Sequence, residues 1–77
     1  MEICISGWSM FHKEVVVIRD IYQDSRVAHD AYRPTFVKSL CMTPIRAEDP
    51  VGSIGVYWAE EYTPSGDQLR FLQILAL

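Results

Sequence analysis

Apolar positions fall into five blocks, the later ones separated by polar, turn-forming stretches. Four consecutive β-branched residues, Val15 to Ile18, open the block EVVVIRDI (14–21) and predict a strand. Ahead of it, ICISGWSMFHK (3–13) reads as an irregular lead-in and a short helix, capped at Ser6 or Gly7, with Trp8, Phe11 and His12 on one side. SLCMTPIR (39–46) predicts a second strand with Leu40 and Met42 on one face and Cys41, Thr43 and Ile45 on the other. Both faces are largely apolar, so both are expected to be covered. Pro44 has no backbone donor and points to an edge or a bulge. AEDPVG (47–52) is a hairpin connection in which Gly52 is expected to take the positive-φ position. SIGVYWAEE (53–61) predicts a third strand, with Ile54, Val56 and Trp58 opposite Gly55, Tyr57 and Ala59. The last block predicts a helix with Thr63 as N-cap, Pro64 at its first position and Asp67 in its first turn. Its apolar stripe in QLRFLQILAL is too broad for one core contact, so a second face is expected to meet another helix.

Residues 22–34 are polar. Asp24-Ser25 is placed to cap a helical turn from Arg26 to His29, and Thr35 to Ser39 reads equally as a helical turn or a strand lead-in. With 77 residues there is room for one domain, and 49% apolar content supplies ample core. The net charge is −3 and the seven basic residues form no stripe, which argues against nucleic acid. No apolar run approaches the ~20 residues of a membrane span, and no basic segment followed by an apolar one marks a signal peptide. Cys4 and Cys41 lie far apart in apolar strings without zinc spacing, and read as free, buried thiols of a cytoplasmic protein.

VAHDAYRP (27–34) concentrates the candidate chemistry. Its His-Asp pair lacks the further His and Asp ligands that a metal hydrolase needs, because the only other histidine is His12. A Cys-His pair of Cys41 with His29 or His12 is conceivable, but a mid-strand thiol in apolar company should be a poor nucleophile. No Ser/His/Asp set and no glycine-rich phosphate loop is present. The expectation is therefore no catalysis and no metal.

Three stretches, SGWSMFHKEVVVIRDIYQDSR, HDAYRPTFVKSLCMTPIR and VGSIGVYWAEEYTPSGDQLRFLQILA, together resemble a GAF domain of the kind found in bacterial sensor histidine kinases. The resemblance implies an α+β fold, an antiparallel sheet flanked by helices, with residues 1–77 forming a single truncated GAF-like domain. It implies that the family's first helix and two central strands are missing, and that those strands would lie between EVVVIRDI and GSIGVYWAE. The remaining strands must then come together or pair with a second copy, since bare edges aggregate.

In phytochrome-like relatives an Asp-Ile-Pro and a His-x-x-Tyr segment line the ligand site, and Asp20-Ile21-Tyr22 and His29-Asp30-Ala31-Tyr32 occupy similar places. Tyr22 replaces the proline. Ala28 stands before His29 where chromophore-attaching relatives carry cysteine, so a covalent bilin is not expected and no cofactor is specified. The ligand-binding residues expected from this resemblance are Asp20, His29, Tyr32, Phe36, Cys41 and Trp58. Against it stands a plainer reading in which Asp20 caps a turn and His29 and Asp30 bond only backbone.

The function that follows is a regulatory sensor domain of a bacterial two-component system, binding a small ligand and passing a conformational bias through its last helix to a downstream kinase or effector. The alternative is an interaction or dimerisation module without a ligand. A homodimer or other even homo-oligomer is expected in both.

Overall fold

The computed structural model describes residues 4–77 of the chain. Its elements in chain order are α1 (Ile5–His12), β1 (Val16–Ile18), a 3-10 turn (Ile21–Gln23), α2 (His29–Tyr32), β2 (Ser39–Ile45), β3 (Gly52–Trp58) and α3 (Gly66–Leu75). The three strands form one antiparallel sheet in the order β1-β2-β3. The fold is α+β, an antiparallel sheet with flanking helices, as the sequence implied. β2 fills the space between β1 and β3, which corrects the expectation that two absent strands would separate them. Among the described residues no helix is long and apolar enough to cross a membrane.

Strand alternation divides the core between the two faces of the sheet. Val16 and Ile18 of β1 pair with Met42 and Leu40 of β2, and Leu40 and Met42 pair in turn with Tyr57 and Gly55 of β3. This face carries the main core, in which Ile5, Ile21, Val27 and Val37 join the strand residues and Trp8, Tyr22 and Tyr32 lie against them. On the other face Cys41 lies between Val17 and Val56. β2 is buried from Ser39 to Pro44, the pattern expected of a strand covered on both faces. Pro44 belongs to this central strand and pairs with Ser53. β1 ends its pairing at Met42, so the proline costs no bond to that neighbour.

Several boundaries differ from expectation for local reasons. α1 begins at Ile5 with Cys4 at the N-cap rather than Ser6 or Gly7, and Ile5 and Ser9, one turn apart, face the core. The expected lead-in at Ile3 lies outside the described residues. The Ser9 hydroxyl donates to the Glu14 carbonyl at 2.6 Å and the Glu14 amide donates to the Ser9 carbonyl, which ties Glu14 to the helix end and delays β1 to Val16. β1 stops at Ile18 because Asp20 accepts a hydrogen bond from the Tyr22 amide and turns the chain. Asp24 likewise bonds the Arg26 amide, so the helical turn falls at 29–32 rather than 26–29.

α3 is capped by Ser65, not Thr63: the Ser65 hydroxyl accepts from the Gln68 amide while the Gln68 side chain accepts from the Ser65 amide, a complete capping box. Pro64 precedes the cap and is buried. In the hairpin, Arg46 takes the positive φ of 57° and Gly52 is an ordinary strand residue. Lys13, after α1, has the same left-handed φ of 57°.

That conformation makes Lys13 a position open to improvement. An L side chain there costs about 1 kcal/mol that glycine avoids. Lys13→Gly should raise the urea midpoint by a corresponding amount. A lowered midpoint would mean that the lysine side chain contributes more to the fold than its backbone strain removes.

Candidate functional site

The turn between β1 and α2 assembles a polar cluster around Tyr22. Lys38 Nζ lies 3.1 Å from Asp20 Oδ2 and 5.6 Å above the Tyr22 ring. The His29 ring meets Tyr22 edge-on with centroids 5.6 Å apart, and its Nε2 lies 3.0 Å from the Asp24 carbonyl oxygen. Arg26 is held between the Asp24 carboxylate, at 2.6 Å, and the face of Trp8, with its guanidinium carbon 4.5 Å from the ring centre. The hydrogen bond to Lys38 is the main reason that the Asp20 carboxyl is held below the usual carboxylate range. Arg26 does the same for Asp24. Each acid in this cluster thus has its partner within it. A shallow groove of about 420 Å³ runs beside Asp20 between Arg19, Gln23 and Glu61.

The six residues expected at a ligand site divide between places. Asp20 and His29 meet around Tyr22, and Tyr32 lies near them against the main core. Cys41 and Trp58 lie on the opposite face of the sheet, where Trp58 stacks on Tyr62 with centroids 4.6 Å apart. Phe36 is 68% exposed. The sheet therefore stands between Tyr32 and the Cys41–Trp58 pair. Among the described residues no group of three His, Cys, Asp or Glu side chains could hold a metal ion.

A second group was not anticipated. Cys4 is exposed rather than buried, at the N-cap of α1. Its Sγ lies 3.1 Å from Ser6 Oγ. The Ser6 hydroxyl first, and the Gly7 amide next, hold its thiol below the usual cysteine value. The phenol of Tyr32 is pushed up, first by burial and then by the negative charge that Tyr57 and Cys4 can carry, so these three ionisable groups lie within one another's field. Tyr57 shares the main-core face and folds back over Gly55, where an added Cβ would stand 2.8 Å from its hydroxyl. An accessible thiol lowered in pKa can attack an electrophile, and a phenol within its field can donate a hydrogen bond to the oxygen of that electrophile.

Cys41 is the opposite case. It is 0% exposed, and burial pushes its thiol up. The Thr43 hydroxyl, two residues along on the same face, offsets part of that rise without forming an aligned hydrogen bond. The signal for Cys4 in the sequence was the spacing Cys-x-Ser-Gly at a helix start, which the apolar string around it obscured.

No protein-family model and no curated protein matches the sequence. Among solved structures the fold is similar to that of a type II free methionine-R-sulfoxide reductase from Thermoplasma acidophilum, with a TM-score of 0.83 and 17% identity over 99% of this chain and 52% of that one. The chain thus spans about half the length of that structure. The likeness establishes a GAF-like fold. It also overturns the expectation of a two-component sensor without catalysis, because the structure it resembles is that of an enzyme, and nothing ties this chain to a histidine kinase.

The two thiols should separate under alkylation. Iodoacetamide should label Cys4 far faster than Cys41. Thiolate is the reactive form, so the Cys4 rate should climb with pH and level off, its midpoint falling below that of a free cysteine peptide. Peptide mapping by mass spectrometry reads both rates. Equal labelling, or a Cys4 midpoint above that of the peptide, would contradict the hydrogen-bonded thiol.

Proposed function

We propose that the chain belongs to a thiol-dependent reductase acting on a small sulfoxide, with Cys4 as the attacking group. The observation that carries this reading is the exposed thiol of Cys4, which the Ser6 hydroxyl bonds at 3.1 Å and holds below the usual cysteine value, and whose charge reaches the Tyr32 phenol. The activity of the T. acidophilum protein, a free methionine-R-sulfoxide reductase, supports the substrate class. Two free cysteines suit a reducing compartment, and we place the protein in the cytoplasm on that ground.

The chemistry is balanced with an external thiol as reductant. The Cys4 thiolate attacks the sulfoxide sulfur while a phenol hydrogen-bonds the oxygen and aids its protonation. The oxygen passes to Cys4 as a sulfenic acid and the thioether leaves. One external thiol displaces water from the sulfenic acid to give a mixed disulfide. A second releases Cys4 and departs as the disulfide. In sum, sulfoxide and two thiols give thioether, disulfide and water.

Incubation of the purified protein with methionine-R-sulfoxide and dithiothreitol should yield methionine by chromatography. Cys4→Ser should abolish turnover and Cys41→Ser should retain it. Tyr32→Phe should slow it by roughly 10²-fold, the usual contribution of a positioned proton donor. No methionine from the wild type, or undiminished turnover in Cys4→Ser, would refute the assignment.

We also propose an even homo-oligomer. Phe71, Ile74 and Leu75 of α3 are 61%, 59% and 57% exposed, more apolar surface than one short helix usually offers water. Light scattering should give at least twice the chain mass, and Phe71→Glu should reduce it. A monomer at high concentration would count against this surface as an interface.

A further inference from the structure

We propose that a cleft between the end of β2, the 46–49 turn and the last turn of α3 binds a small zwitterion with a short apolar body. The cleft has a volume of about 620 Å³, within the usual range for small-ligand sites. It lies by Lys13, at the opposite end of α1 from Cys4. Its binding is therefore independent of the thiol chemistry proposed above.

Three observations converge there. Five of the seven Lys and Arg side chains have an acidic partner: Arg19 with Glu61, Arg26 with Asp24, Arg33 with Asp30, Lys38 with Asp20 and Arg70 with Asp67. The two without one among the described residues, Lys13 and Arg46, both line this cleft. Those same two are, among the described residues, the non-glycine positions with positive φ. A basic side chain is thus held at each of two positions where its backbone is strained and glycine would be at ease. Third, Thr43, 2% exposed, lines the cleft with a buried hydroxyl that has no hydrogen-bond partner. A buried polar group left alone is costly, and a ligand that parts the cleft floor over it would satisfy it.

The remaining lining selects the ligand. Glu48 and Asp49 add two negative groups to the two positive ones, so the rim is balanced and does not favour a simple anion. Val15, Pro44 and Ala76 give an apolar floor. A carboxylate on Lys13 and Arg46, an ammonium on Glu48 or Asp49 and a short aliphatic part on the floor match the charged and apolar groups of the lining. Complementing the negative end of α3 would account for a cation here, but not for the orphaned Thr43 hydroxyl.

Backbone amide NMR on the whole chain tests this with two zwitterions, L-leucine and 6-aminohexanoate, against 4-methylpentanoate and 3-methylbutylamine, which each carry one charge. At least one zwitterion should shift the Thr43, Arg46 and Ala76 amides saturably, and both singly charged compounds should bind more weakly. Lys13→Gly and Arg46→Gly relieve strain, so they should fold at least as well as the wild type. Each should nevertheless weaken binding by about tenfold, the loss of one charge-assisted hydrogen bond. Thr43→Val, which removes the orphan hydroxyl while keeping the shape, should weaken binding without loss of stability. Absence of saturable shifts with both zwitterions at roughly 10 mM, equal binding of 4-methylpentanoate, or unchanged affinity in Arg46→Gly would each overturn the proposal.

Discussion

The whole arrangement depends on β2 being the buried central strand of the sheet. β1 and β3 pair with its two edges, and its side chains from Ser39 to Pro44 are buried on both faces. Such a strand cannot slip by one residue without exchanging Leu40 and Met42 for Cys41 and Thr43, which would place a hydroxyl in the main core. Its own polar groups reinforce the register. Ser39, fully buried, donates to the Glu60 carbonyl at 2.7 Å. The amide of Lys38 donates to the Trp58 carbonyl, and the Lys38 carbonyl accepts from the Ile21 amide. Lys38 thus joins β3 to the turn after β1 at the same point where its side chain reaches Asp20. Backbone pairing and the ion pair place the polar cluster together.

The two faces of the sheet then take different roles. One is closed by α1, the 3-10 turn and the loop through Val27, and its apolar contacts are complete. The other is only partly covered. Ala76 is buried there and its carbonyl accepts from the Arg46 amide at 2.7 Å, yet no residue of α3 itself is buried. A helix that touches the sheet mainly through its last turn leaves a cleft beneath that turn and an apolar side above it. Open volume and exposed hydrophobic surface are thus two consequences of one shallow contact.

Patterns that rest on alternation were legible in the sequence. The facing of Leu40 and Met42 against Cys41 and Thr43, and of Val56 and Trp58 against Gly55 and Tyr57, follows from period two and needed no further information. Boundaries set by a single side-chain hydrogen bond were not. Thr63-Pro64 is a sound helix start by composition, but Ser65 has Gln68 three residues on and wins because it satisfies two backbone donors at once. Gly52 was the natural residue for a positive φ, yet Arg46 takes it, because the Val51 amide reaches back to the Ile45 carbonyl and closes the hairpin one residue earlier. Asp20 and His29, the residues to which the likeness to sensor domains points, are each satisfied locally, Asp20 by Lys38 and the Tyr22 amide and His29 by the Asp24 carbonyl. That likeness passed over Cys4, whose exposure depends on where α1 begins.

α1 links these separate features. Its eight residues present Cys4 at the positive end and Lys13 just past the negative end. Partial charge at a helix N-terminus favours a thiolate, and partial charge at the C-terminus favours a cation. The two chemically distinctive groups of the chain therefore sit where one short dipole stabilises each. The helix is anchored between them by Ile5 and Ser9 against the sheet and by the Trp8 ring against Arg26. A change at either end alters the local charge without touching that anchor. This physical separation would let the proposed thiol chemistry and the proposed ligand recognition share one small helix.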